Sequence, residues 1–254
     1  MKKLLVAVGA TLLFPFLAAG CSSVGPATSR DYDMKDFTKV RVSGAFQMEL
    51  VQSGSYAVTV TAQEGLFNRI KVAVSGDTLE VGIENTWLPP WGFQRPKVKI
   101  SMPDLYSVDL SGASRGTAKG FQSAHDTDVV LSGASSLELD VQAASAGVDV
   151  SGASHLSGQL KISQVRIKVN GASRADLSGS GDSLDLEASG ASNAGMESFS
   201  AKDVSVDISG ASRGTVSASG TLKVVLSGAS SLTYSGNPTL GSVDVSGAST
   251  IHKK

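Results

Sequence analysis

The chain is poor in the residues that most often build catalytic and metal sites. Its 254 residues include one cysteine and three histidines. A lone cysteine excludes a disulfide within the chain, and His125, His155 and His252 lie too far apart in sequence for a metal-binding motif. Aromatic residues make up only 6% of the chain, which excludes a core built mainly on large rings. We therefore predict a protein that is not an enzyme and that needs no cofactor and no metal.

Charge of one sign is also lacking. The 22 basic and 23 acidic residues give a formal net charge of −1 at pH 7, and no basic stripe dominates the sequence. Proteins that bind nucleic acids carry clustered lysine and arginine to neutralise phosphates. We therefore expect no nucleic acid partner.

Helical periodicity is the third absence, and a different period takes its place. Among the many glycines and serines of the repeats, no window offers apolar residues at i, i+3, i+4 and i+7, whereas the phrase [Ser/Asn]-Gly-Ala-Ser recurs every 18 to 21 residues. A period near twenty is typical of solenoids and is about half of what a propeller blade requires. The eight copies begin at Ser111, Ser132, Ser151, Asn170, Ser189, Ser209, Ser227 and Ser246.

Each copy follows a short run with the alternation of a half-buried strand. The residues three before and one before the phrase are apolar in every copy, as Val148 and Val150 illustrate, and these sixteen side chains are predicted to face the core. The residue between them is predicted to face water. This outer column consists of Asp109, Val130, Asp149, Lys168, Glu187, Asp207, Val225 and Asp244.

The phrase itself predicts a corner between two strands of a coil. Glycine adopts backbone angles that strain other residues, and a serine hydroxyl can bond to nearby backbone or to the serine of the next coil. The sequence therefore predicts an all-β fold, a parallel β-helix or β-solenoid with about 19–20 residues per coil. The predicted structural corners are Gly112, Gly133, Gly152, Gly171, Gly190, Gly210, Gly228 and Gly247.

The N-terminus predicts export and lipid attachment. Two lysines precede an apolar run that is too short for a comfortable membrane helix, and Cys21 follows this run after a single glycine. The string Leu-Ala-Ala-Gly-Cys resembles the bacterial lipobox, in which the cysteine becomes the acylated first residue. Ser22 after it is similar to lipoproteins that are released to the outer membrane. We predict a lipoprotein signal peptide over residues 1–20, lipidation at Cys21, and a flexible tether over residues 21–36.

The folded domain is predicted over residues 37–251. Residues 37–104 contain alternating strands of uneven spacing, and we expect them to form a less regular N-terminal cap on the stack. A corner-like Ser-Gly-Ala-Phe at residues 43–46 shows that the cap belongs to the same structure. Residues 105–251 hold the regular repeats.

One segment of the cap stands apart in composition. Residues 86–96 contain both tryptophans of the chain, a phenylalanine and three prolines. Trp87, Trp91 and Phe93 are candidate partner-binding residues, because such rings contact sugars, lipids and proteins. In the alternative interpretation they fold down and cover the N-terminal strands.

The acidic members of the outer column invite comparison with glycan-active β-helices. Val130, Lys168 and Val225 interrupt the column, so carboxylates on adjacent coils are expected only for Glu187 with Asp207. A solvated face that keeps the stacked strands soluble is therefore favoured over a calcium or catalytic site. The arginines expected to offset this acidity are Arg115, Arg174 and Arg213.

Taken together, these segments resemble a known bacterial family, the auto-transporter adhesin head GIN domain. The resemblance covers residues 37 to about 251 and depends on the opening at 37–52, the strand pair at 70–83, the stretch at 98–105 and the serial Ser-Gly-Ala-Ser corners. It implies a right-handed parallel β-helix that is exported or lipid-anchored. It implies no catalytic residues.

These observations favour a non-enzymatic, lipid-anchored β-helix of the cell envelope that serves as a scaffold, adhesion or interaction surface. We expect an outer-membrane lipoprotein, periplasmic or surface-exposed, that contacts the membrane through its lipid and binds an envelope protein or glycan. The alternative is an envelope glycan-binding or glycan-active module that uses an acidic and arginine-lined face. Assembly into filaments through the end coils is disfavoured, because lysines follow the last repeat.

Overall fold

The structure is a computed structural model that describes residues 26–84 and 94–254. The described residues form 19 strands and one 3₁₀ helix, Glu64–Arg69, and the stacked coils make a β-solenoid of about eight turns, which confirms the predicted fold class. The strands are β1 (Ala27–Tyr32), β2 (Lys39–Val42), β3 (Gln47–Gln52), β4 (Ala57–Gln63), β5 (Ile70–Ser75), β6 (Thr78–Ile83), β7 (Lys97–Met102), β8 (Ser107–Leu110), β9 (Arg115–Gln122), β10 (Thr127–Leu131), β11 (Ser136–Val150), β12 (His155–Val169), β13 (Arg174–Ala188), β14 (Asn193–Ile208), β15 (Arg213–Ala218), β16 (Thr221–Leu226), β17 (Ser231–Ser235), β18 (Thr239–Val245) and β19 (Thr250–Lys253).

Each regular coil has two faces joined by a [Ser/Asn]-Gly-Ala-Ser corner. The pre-corner face holds the strands that enter the corner, and the post-corner face holds the strands that leave it. In β11 to β14 one long strand crosses from the post-corner to the pre-corner face. The spatial order of the pre-corner face is β5, β6, β2, β8, β10, the C-terminal halves of β11 to β14, β16 and β18. The order of the post-corner face is β1, β4, β7, β3, β9, the N-terminal halves of β11 to β14, β15, β17 and β19.

The two predicted apolar columns fill the space between the faces in seven of the eight repeats. These fourteen side chains are each at most 3% exposed: Val108, Val129, Val148, Ile167, Leu186, Val206 and Val224 in one column, and Leu110, Leu131, Val150, Val169, Ala188, Ile208 and Leu226 in the other. The prediction is wrong for the last repeat, where Val243 and Val245 are 43% and 40% exposed. The reason is that no strand of the described residues stacks on the outer side of β18.

At each corner the glycine of one coil lies against the glycine of the coil before it. The eight corner glycines have φ between 69° and 80°. A Cβ placed on Gly152 would lie 2.5 Å from the carbonyl oxygen of Gly133. That same oxygen accepts a hydrogen bond from the N–H of Ala153 at 2.8 Å. Glycine is therefore required both for the backbone angle and for the close approach of consecutive coils.

The last serine of each corner points into the fold. The hydroxyls of Ser154, Ser173, Ser212 and Ser249 accept a hydrogen bond from the backbone of the preceding coil, as in Ser135 N–H to Ser154 Oγ at 3.3 Å. In the corner-like phrase of the first coil, Phe46 occupies this position and is fully buried, so it closes the row of serines at that end. The buried serines, each at most 3% exposed, are Ser114, Ser135, Ser154, Ser173, Ser192, Ser212 and Ser230.

The N-terminal end is finished by strands that break the parallel stacking. β6 and β7 stack outside β2 and β3, although they come later in the chain. β5 then pairs antiparallel with β6, and β4 pairs antiparallel with β7. Leu66 and Phe67 of the 3₁₀ helix are buried in this region. These elements close the core at the N-terminal end.

β1 lies within the segment expected to be a flexible tether, residues 21–36. Its side chains are polar and mostly exposed, so the sequence carries no alternation of apolar residues there. β1 is held by backbone pairing with β4, by an ion pair between Arg30 and Glu64, and by a hydrogen bond that Thr59 donates to Asp31 at 2.6 Å. The tether expectation is therefore corrected for residues 27–32, which form an edge strand.

Replacing Gly152 or Gly190 with valine should destabilise the fold strongly. The new Cβ would meet the preceding glycine carbonyl at 2.5 Å and 2.8 Å respectively, on a backbone with φ of 77° and 80°. Strain and overpacking together predict a loss of about 2–5 kcal/mol in the free energy of unfolding, measured by thermal or denaturant unfolding.

Two control glycines separate the two causes. Gly76 has φ of 62° and open space around its Cβ position, so Gly76→Val tests backbone strain alone. Gly54 has open space and no positive φ, so Gly54→Val should change stability little. Equal melting temperatures for the Gly152 and Gly54 variants would contradict the corner account.

Candidate interaction surfaces

The corners form a smooth ridge along one edge of the solenoid. From Gly133 to Ala248 the glycine and alanine of each corner are exposed, while each alanine N–H donates a hydrogen bond to the glycine carbonyl of the preceding coil. The ridge therefore presents backbone and methyl groups to solvent, and its glycines and alanines carry no reactive side chain. The spacing of the corners sets the spacing of the side chains on both faces of the solenoid.

A shallow groove lies between the first two corners. It encloses about 490 Å³ and is lined by Ser43, Gly44, Ala45, Ile83, Ser111, Gly112 and Ala113. Arg95 Nη1 donates a hydrogen bond to the carbonyl oxygen of Ala113 at 2.8 Å. Ile83 lines this groove and Arg95 contacts its wall at Ala113, and these two residues flank the aromatic segment in sequence. The candidate residues Trp87, Trp91 and Phe93 lie outside the described residues.

The outer column of the pre-corner face contains ion pairs in place of a continuous acidic row. Arg41 of the first coil donates to Asp109 at 3.0 Å, and the hydrogen bond and charge of Asp109 raise the pKa of Arg41 above its ordinary value. Lys168 Nζ lies 3.0 Å from a carboxylate oxygen of Glu187. Glu187 is in register with Asp207 on the next coil, but Glu187 forms its ion pair with Lys168 on the preceding coil. These pairs connect neighbouring strands, and Arg41 also lines a shallow pocket of about 300 Å³ with Lys71 and Glu80.

The three arginines expected to offset this column lie elsewhere. They begin strands of the post-corner face, beyond the corner from the acidic column. Arg174 instead pairs with Asp176 two residues along its own strand, which raises the pKa of Arg174 above its ordinary value. The expectation is wrong for Arg115, Arg174 and Arg213, because a four-residue corner separates the two faces.

Charges on the post-corner face are also paired between adjacent coils. Lys99 Nζ lies 3.0 Å from Glu49, and Lys119 Nζ lies 2.8 Å from Glu138. Exposed pairs of this kind contribute little to stability. Their effect is to keep opposite charges next to each other across strands, where like charges would be unfavourable.

The histidines remain apart in the folded chain. His125 stacks on Tyr106 with ring centroids 4.7 Å apart, and His125 Nε2 lies 3.2 Å from Asp104 Oδ2. His155 Nδ1 lies 4.0 Å from Asp176, and His252 is in β19. Within residues 26–84 and 94–254, no group of three or more His, Cys, Asp or Glu side chains is arranged to hold a metal ion.

Cys21, the predicted lipidation site, lies outside the described residues. The chain enters the described fold through β1, the outermost strand at the N-terminal end. None of the helices in the described part of the chain is long and apolar enough to span a membrane.

The C-terminal end is the surface that the sequence reasoning missed. Leu240, Val243 and Val245 are 40–49% exposed there. The signal was present in the sequence, because the apolar columns continue into the last repeat without a polar substitution. A stack that ends on unchanged core positions leaves those positions uncovered.

Solved structures share this fold over nearly the whole chain. A protein from Parabacteroides distasonis ATCC 8503 named "Putative lipid binding protein" has a TM-score of 0.84 at 16% identity, with 91% of this chain and 97% of that chain covered. A "putative adhesin" from the same organism has a TM-score of 0.84 at 18% identity, with 91% and 98% covered. A "putative adhesin" from Parabacteroides merdae ATCC 43184 has a TM-score of 0.83 at 19% identity, with 91% and 97% covered.

A family match extends the likeness from fold to sequence. The family described as "Putative auto-transporter adhesin, head GIN domain" matches residues 36–238, which include the N-terminal closure and seven of the eight corner phrases. A search of curated proteins found no match. The chain belongs to the head GIN domain family.

Proposed function

We propose that this protein is a non-enzymatic, lipid-anchored rod of the cell envelope that acts as an adhesion or interaction surface. The observation that carries the proposal is the position of β1, through which the chain enters the fold at one end of the solenoid. A lipid on Cys21 would hold that end at a membrane. The opposite end and both faces would then project away from it.

The stacked coils support this role mechanically. Each corner is bonded to the next by a backbone hydrogen bond of 2.7–2.8 Å, and the core columns are continuous through seven repeats. A rod built in this way presents similar surfaces at regular intervals, which favours contact at several points over binding in a single deep site. Membership of a family described as adhesins agrees with this proposal.

The proposal includes the cell location. Cys21 follows a short apolar run in a lipobox-like context, and Ser22 resembles the residue found in lipoproteins that reach the outer membrane. We therefore propose an outer-membrane lipoprotein. The ion pairs at Asp109 and Glu187 give no support to the glycan-active alternative, because both carboxylates are engaged with basic residues of adjacent coils.

Cys21→Ser should convert a membrane-associated protein into unprocessed or soluble material. The lipid is the only strong membrane attachment expected after the signal peptide is removed. The measurement is detergent-phase separation of the full chain expressed in a bacterial host, with Ser23→Ala as the control that should partition like wild type. A Cys21→Ser protein that is correctly processed and still enters the detergent phase would contradict the anchor.

Changing Trp87, Trp91 and Phe93 together to serine tests the aromatic segment. If the rings contact a partner, capture of envelope components by the intact lipoprotein should be lost while the melting temperature stays nearly unchanged. If the rings cover the N-terminal strands, the melting temperature should fall, because removal of each buried ring costs about 3–5 kcal/mol.

Tyr106→Ser is the matched aromatic control for this experiment. Tyr106 is 36% exposed, stacks on His125 and directly precedes β8. It should change neither capture nor melting as strongly as the triple substitution. A triple variant with normal stability and normal capture would exclude both roles for the aromatic segment.

A further inference from the structure

The two ends of the solenoid are finished in different ways. At the N-terminal end, β1 and β5 are antiparallel edge strands, and the 3₁₀ helix buries Leu66 and Phe67. At the C-terminal end, β18 and β19 simply continue the parallel stacking. All seven residues of β18 are exposed, and none of the described strands pairs with its outer edge. The core is thus closed at one end and open at the other.

The open end exposes side chains that are buried everywhere else in the stack. Leu240, Val243 and Val245 are 49%, 43% and 40% exposed. Their partners in register one coil earlier, Leu222, Val224 and Leu226, are at most 1% exposed. The difference arises because β16 is covered by β18, whereas none of the described strands covers the outer side of β18. The end is therefore shaped to receive a pair of strands, one on each face.

Once the proposed signal peptide is removed, the undescribed segments of this sequence are too short to supply that layer. The segment 85–93 leaves and re-enters the fold beside the first corner, and residues 1–25 join β1 at the N-terminal end. Eight intervals of about 4.8 Å separate the first corner from the last, roughly 38 Å in all. Nine residues that must travel out and return reach only about 15 Å. After removal of the proposed signal peptide, residues 21–25 reach no more than about 18 Å.

A second copy of this chain matches the open end. A partner must offer two strands at the separation and twist of the two faces, and the same end of another copy offers both. A two-fold axis turns the meeting strands antiparallel, which edge strands accommodate readily, and makes the contact self-complementary.

Charge decides which strands meet. β18 carries one charged residue, Asp244, whereas β19 carries His252 and Lys253 and is followed by Lys254. Pairing β18 with β18 and β19 with β19 would place like charges together. Pairing β18 with the β19 strand of the other copy places the carboxylate beside the basic residues, twice in each pair of molecules.

We propose that the C-terminal end of the solenoid docks on the C-terminal end of a second copy, with β18 of each molecule antiparallel to β19 of the other. The contact covers Leu240, Val243 and Val245 from both sides. It stops at two copies because polar β1 covers one edge of the other end. The contact therefore produces pairs of molecules, and it does not require the filament that the terminal lysines disfavour. If the anchor of the proposed function also holds, the pair joins two rods tip to tip and bridges two membranes.

Sedimentation velocity of the full processed chain in detergent micelles tests this contact. Wild type should show a concentration-dependent equilibrium between one and two copies. Val243→Lys places a charge at the centre of the contact and should weaken association at least about tenfold, which corresponds to about 1.4 kcal/mol. Val130→Lys is the matched control, because Val130 is also an exposed valine, at 36%, and lies on the outer column of β10, far from the C-terminal end.

A second variant guards against a folding defect in Val243→Lys. Asp244 is exposed and faces outward, so Asp244→Lys should keep the melting temperature of wild type and still weaken the pair. Wild type that remains single at every concentration would overturn the proposal, as would equal effects of Val130→Lys and Val243→Lys. Detergent-phase partitioning of the same samples reports on the anchor separately, so loss of one property is distinguishable from loss of the other.

Discussion

The fold depends on one contact that is repeated at every corner. A glycine with φ near +75° lies against the carbonyl oxygen of the glycine one coil earlier, and the following alanine donates its N–H to that oxygen. No other residue type satisfies both requirements, because a Cβ would collide with backbone and backbone cannot retreat. The corner therefore fixes the vertical spacing and the rotation of each coil.

The remaining structure follows from that registration. Strands that enter and leave a fixed corner must stack in parallel register, so inward positions meet inward positions and form continuous apolar columns. Outward positions also meet, and the solenoid keeps them compatible with pairs such as Lys168 with Glu187 and Lys119 with Glu138. The buried serines add a row of hydrogen bonds inside each corner. Because these contacts hold the coils in register, the fold needs few aromatic side chains and no disulfide.

Local pattern was enough to predict the repeats, because period-two alternation and the corner phrase are both short-range signals. Inward side chains such as Val148 and Val150 and the corner glycines lie where these signals place them. The N-terminal end was not predictable in the same way. β6 and β7 stack outside β2 and β3, although they come later in the chain, and polar β1 is held by pairing with β4. Neither arrangement produces a periodic pattern in the sequence.

The surfaces were harder to predict than the core. An outward charge pairs with whatever stands one coil away, so Arg41 from the first coil, and none of the arginines after the corners, meets Asp109. The open C-terminal end was hidden for a related reason. Val243 has the same sequence context as Val148, and only the absence of a covering strand among the described residues makes it exposed. Burial at the end of a stack is a property of neighbours and not of the repeat.

Amide hydrogen exchange at the corners tests the account most directly. The alanines at 134, 153, 172 and 191 have exposed side chains, and in an ordinary turn their N–H groups would exchange rapidly. Because each donates to a glycine oxygen of the preceding coil, they should exchange only on the time scale of coil separation, like the central strands. Exchange of these four amides at the rate of the turn around Gly54 would show that the corners do not hold the coils together.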